Sequence, residues 1–73
     1  MNSKEIVLDV SELEAPLPLL QGIAAMKALQ EGEILRFVHR MFPCKLQEHI
    51  DALGLHGEIV INEENHFEMK IFR

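Results

Sequence analysis

The sequence predicts an α/β (α+β) two-layer sandwich with the order β-α-β-α-β-β, and three observations predict it. Two segments of helical period alternate with short β-branched runs, glycines punctuate the helix ends, and the chain closes on an alternating strand after a polar turn. A helix between two strands implies a crossover to a parallel neighbour. The first three strands are therefore expected to run parallel, with right-handed crossovers, and the closing hairpin to add an antiparallel one. Two helices cannot cover both sides of a four-stranded mixed sheet, so both are expected on one face.

Each element has its own grounds. Ile6-Val7-Leu8-Asp9-Val10 is a short β-branched run and reads as the first strand. Ser11, Glu12 and Glu14 carry a polar turn into the first helix, predicted from Pro16 to Leu29. Along it Leu19, Leu20, Ile23, Ala24, Met26 and Leu29 recur at helical spacing, with Gln21, Lys27 and Gln30 off the stripe. Pro16 and Pro18 would break a helix interior but fit its first turn, where the amide hydrogens have no intrahelical partner. That makes Ala15 the expected N-cap, although a methyl group offers no acceptor to the orphan amides. Gly22 lowers helix propensity and permits close approach to the sheet. Gly32 ends the helix.

Ile34–His39 reads as the second strand, with Leu35 and Phe37 on one face and Ile34, Arg36 and Val38 on the other. A second helix is predicted from about Pro43 to Leu53, proline at its first position and Gly54 just past its end. Its core face is Leu46, His49, Ile50 and Leu53. Glu58–Asn62 is the third strand, Glu63-Glu64-Asn65 the turn, and His66–Phe72 the last strand, with Phe67, Met69 and Ile71 on one face.

At 73 residues the chain is expected to be one domain, 1–73, and its 48% apolar content supplies a core. Cys44 is the one cysteine, which rules out an internal disulfide and suits a reducing compartment. No apolar run suits secretion or a membrane span, so a cytoplasmic location without membrane association is expected. A net charge of −5 argues against nucleic acid, as does the absence of Tyr and Trp for base stacking. One local exception stands out. Arg36, Arg40 and Lys45, with His39, concentrate positive charge, which is either a solvated strand end or a small anionic docking spot.

Open α/β sheets bind ligands beside the carboxyl ends of their parallel strands. Here that edge is expected to carry Ala15, Pro16, His39, Arg40, Met41, Phe42 and Cys44. Cys44, predicted in the first turn of the second helix near Arg40 and Lys45, is either a small apolar residue tucked under the helix start or a thiol activated by dipole and cations. His39, His49, His56 and His66 do not form the tight ligand pairs of a zinc site with Cys44 or with one another, so no metal is assigned. His49 is expected at the core edge, and His66 in solvent. Ser3 and Ser11 lack a base-and-orienter pair, and no phosphate-cradling glycine loop is present. No catalytic constellation follows, and no cofactor.

The pattern Leu13-x-Ala15-Pro16-x-Pro18 after a strand resembles the Cys-Pro-x-Pro signature of the TusA-like (SirA-like) sulfur-carrier superfamily. Gly32-Glu33-Ile34-Leu35-Arg36-x-x-His39 followed by Pro43-x-x-Leu46 is similar to a cysteine-less branch of it whose function is uncharacterised. The resemblance spans nearly the whole chain and implies a strand order of 1-2-4-3. In the sulfur carriers the cysteine at the Ala15 position sits on a helix N-terminus, which stabilises a thiolate or persulfide. Alanine has no nucleophilic atom, so transfer by that residue is excluded. The reading is then a binding or protein-interaction module with a protein partner. Its rim is Ala15, Pro16, Pro18, His39, Arg40, Phe42, Cys44 and Lys45. A thiol or persulfide carrier using Cys44 and a metal- or redox-responsive accessory protein are the alternatives.

Overall fold

The computed structural model describes residues 4–73. Its elements are β1 (Lys4–Asp9), α1 (Leu17–Ala28), β2 (Glu33–His39), α2 (Leu46–Ala52), β3 (His56–Glu63) and β4 (His66–Phe72). They form one four-stranded mixed sheet in the order β1-β2-β4-β3. β1 pairs with β2 in parallel, and β4 lies antiparallel between β2 and β3. The first three strands therefore share one direction. This is the α+β fold that the spacing of apolar runs predicts. Ser3 lies outside the described residues.

Alternation decides what each face of the sheet does. Leu35 and Phe37 of β2 and Phe67, Met69 and Ile71 of β4 are buried. Phe37 stands opposite Met69 and Leu35 opposite Ile71, so these side chains fill one face together. Met26 and Leu29 from α1 and its C-terminus, with Leu46 and Ile50 from α2, join them in a single buried cluster. The other face carries Arg36, held at 2.7 Å by Glu5 of β1 and at 2.8 Å by Glu68 of β4. His66 Nε2 lies 2.7 Å from the second oxygen of Glu68. These bonds, that of His66 first, hold the Glu68 carboxyl below its ordinary value.

The buried line of α1 differs from the expected one. Pro18, Gly22 and Met26 are buried, at intervals of one helical turn, whereas Leu20 is 53% exposed and Ala24 faces outward. Glycine explains the rotation. A Cβ on Gly22 would stand 3.0 Å from the ring of Phe37 and 3.4 Å from Leu46, so its absence lets the helix backbone approach the sheet. Leu19 and Ile23 flank this line, half-buried.

Three local expectations are corrected. The N-cap of α1 is Pro16, not Ala15: the Ala15–Pro16 peptide is cis, the Pro16 carbonyl accepts from Leu20, and Pro18 is the second helical residue. The second helix starts at Leu46, later than Pro43. Leu46 N–H bonds to the Pro43 carbonyl at 3.2 Å, which makes Pro43–Leu46 a separate tight turn, and Lys45 is the N-cap. Cys44 thus lies in that turn, outside the helix. Finally, β3 is longer than expected because His56, Gly57 and Glu63 also pair with β4, and an irregularity between Ile59 and Ile61 leaves Val60 out of the pairing. The turn shortens to Glu64-Asn65, with Asn65 at φ 62°, a conformation asparagine accepts more readily than most residues.

Candidate functional site

Two short connections meet at the carboxyl ends of β1 and β2. The first leaves β1 through a chain of local bonds. Asp9 accepts from the Ser11 amide at 3.0 Å, and the Ser11 hydroxyl first, then that amide, hold the Asp9 carboxyl below its ordinary range. Val10 N–H reaches Val38 at 2.9 Å, and Leu13 N–H turns back to Val10 at 3.1 Å. Arg40 then braces the outside of this loop, its NH2 group lying 3.2 Å from the Leu13 carbonyl and 3.2 Å from the Glu14 carboxylate. The second connection runs from His39 to Lys45 and is stiffened by Phe42, whose ring stacks on buried Phe67 at 5.0 Å.

Between them lies a cleft of about 340 Å³. One wall is Ala15, Pro16, Pro18 and Leu19. The other is Met41, Phe42, Pro43, Cys44 and Lys45, with His39 contributing from the strand end. Seven of the eight rim residues expected from the sequence line this one cleft. Arg40 does not. It lines an adjoining hollow of about 300 Å³ with Glu14 and Asn65. Arg36 is farther removed from the expected cluster of cations, because strand alternation turns it to the opposite sheet face and its two carboxylate partners hold it there.

His39 is the buried polar residue of the site, 7% exposed, with its ring edge-on to Phe37. Its Nδ1 has no hydrogen-bond partner. Burial, and then the positive charge of Arg40, push its pKa down from the ordinary 6.5, against the opposing pull of the Val10 backbone, Glu14 and Asp9. The ring is therefore neutral at pH 7. Cys44 is an exposed free thiol on the cleft wall. Met41, at 67% exposure, is the most exposed large apolar side chain of the described residues.

The remaining histidines lie apart from this site. His49 is half-buried on α2, His56 stacks near Phe72 at the other end of the sheet, and His66 pairs with Glu68. Among the described residues no three His, Cys, Asp or Glu side chains gather where they could share a metal ion. No helix among them is long and apolar enough to cross a membrane.

Leu19 and Asn65 were not readable as parts of this region. Leu19 sits in an apolar stripe that reads as core, and it does pack half-buried against the core cluster while also lining the cleft. Asn65 arrives because β4 pairs with β2, placing His39 opposite Phe67 and the hairpin turn beside the strand end. Compared with known proteins, the chain matches no family model, no curated protein and no solved structure.

Proposed function

We propose that this chain is a TusA-like binding module, cytoplasmic and without the superfamily's sulfur-carrying cysteine, that docks a protein partner at the cleft between Ala15–Leu19 and His39–Lys45. One observation carries the reading. The strand ends hold an open cleft walled by proline, leucine, methionine and phenylalanine, and apolar side chains left half in water at such an edge mark a binding surface. The cleft lies where the resemblance places the carriers' reactive sulfur, and that place holds the methyl group of Ala15. Recognition remains there, without the nucleophile.

The test is capture of partner from native cell extract by the wild-type chain and by Met41→Asp, a change at an exposed side chain. Loss of the captured protein with unchanged unfolding behaviour supports the reading. Full retention contradicts it.

The exposed thiol of Cys44 on the same wall favours a second reading, a persulfide carrier. Its thiolate would attack the outer sulfur of a donor persulfide, forming Cys44–S–S⁻ and releasing the donor thiolate. Incubation with a low-molecular-weight persulfide and mass analysis of the intact chain decides this. A gain of one sulfur atom, absent in Cys44→Ala, is the expected mark, and an unchanged mass removes the reading.

A further inference from the structure

We infer that the cleft between Pro16–Leu19 and Met41–Lys45 binds a small amphipathic monocarboxylate, its hydrocarbon body against the apolar walls and its carboxylate at Lys45. The inference goes beyond the proposed docking of a protein and gives the same cleft a small-molecule ligand.

The charge pattern is the first ground. The chain holds 12 acidic residues against 7 basic ones, yet no carboxylate lines this cleft. Lys45 is the one charged residue that lines it, and Lys45 makes no ion pair among the described residues. The adjoining hollow differs, because there Arg40 is already matched by Glu14. The hollow at the far end of the sheet also carries both signs, Glu33 and Glu58 with Lys70 and Arg73. A single unmatched cation suits a singly charged head group better than a phosphate, and the neutral His39 ring adds no second charge.

Size and lining supply the second ground. A closed apolar cavity of about 150 Å³ accepts one benzene molecule, so 340 Å³ leaves room for roughly a dozen non-hydrogen atoms. The walls offer hydrocarbon contact from Pro18, Leu19, Met41 and Phe42 and few polar groups, which excludes sugars and nucleotides as good occupants. A medium-chain carboxylate meets both conditions.

Cys44 provides the readout, being the one thiol of the chain and part of the cleft wall. Its alkylation by a neutral maleimide is followed with octanoate or 1-octanol present, on the wild-type chain and on Lys45→Gln. Octanoate is expected to slow alkylation saturably at millimolar or lower concentration. It should bind about fivefold more tightly than octanol, a preference the size of a favourable exposed ion pair. Lys45→Gln should erase that preference while leaving the octanol response in place. Equal protection by both compounds, an octanoate preference that survives Lys45→Gln, or no saturable protection by either would overturn the inference. None of these outcomes involves a protein partner, so they leave the docking reading to be decided by the capture experiment alone.

Discussion

β2 passes through two regions that treat the same kinds of side chain in opposite ways. In its middle, Leu35 and Phe37 are wholly buried under the helices. Just beyond its end Met41 is 67% exposed, and Phe42 stays 37% exposed although its ring stacks on Phe67; methionine and phenylalanine would gain as much from burial as the side chains before them. The switch happens at His39, which is buried like the residues before it and carries an unmatched nitrogen. Stability resides in the first region, where each side chain has neighbours on all sides. In the second, apolar surface is left in contact with water at some cost to stability.

Substitutions in the two regions should separate accordingly, and the largest effects belong to the core. Ile50→Ala or Leu46→Ala removes a wholly buried side chain and should lower unfolding free energy by about 2–5 kcal/mol in urea titrations. Gly22→Val should cost about 1–3 kcal/mol, because even its first carbon meets the Phe37 ring at 3.0 Å. An unchanged midpoint there would mean that α1 does not rest on the sheet as closely as described.

His39, at the boundary, gives a pH effect. Its folded-state pKa lies below the ordinary 6.5, so the unfolded chain takes up the proton first. Stability from this residue is full above 6.5 and falls as pH drops from there toward the lower folded value. His39→Leu should remove that decline and leave neutral-pH stability level or higher, since it deletes the unpartnered nitrogen. The further loss in more acidic solution, from Asp9 and Glu68 with their lowered values, should persist in the variant. The smallest effect is expected at Glu63→Ala. Exposed beside the hairpin turn, it should stay within about 0.5 kcal/mol of the wild-type chain.

The fold was legible because its determinants are local and periodic. Phe67, Met69 and Ile71 announce a strand with one buried face, and Leu46 and Ile50 announce the inner side of α2. What escaped depended on contacts between distant residues. Gly22 could be read as a point of close approach to the sheet, but nothing in the order of residues says that Phe37 is what it meets, or that Leu20 is left exposed. Nothing in it says that Pro43 accepts the Leu46 amide in a tight turn and leaves Cys44 off the helix. The cleft was legible in most of its residues, since strand ends and helix starts can be placed from proline and glycine. The charge pattern was not. Arg36, Arg40 and Lys45 are close in sequence, but Glu5, Glu68 and Glu14 claim the first two, whereas Lys45 lines the cleft and has no ion pair among the described residues.

The cleft has one rival as a binding surface, the open sheet face, which also exposes an apolar side chain, Val7, beside the Arg36 bridges. The direct measurement is partner capture by Met41→Asp and by Val7→Asp, with both variants checked for wild-type unfolding midpoints. The cleft account predicts loss of capture in Met41→Asp and full capture in Val7→Asp. The reverse pattern would assign the working surface to the sheet and contradict it.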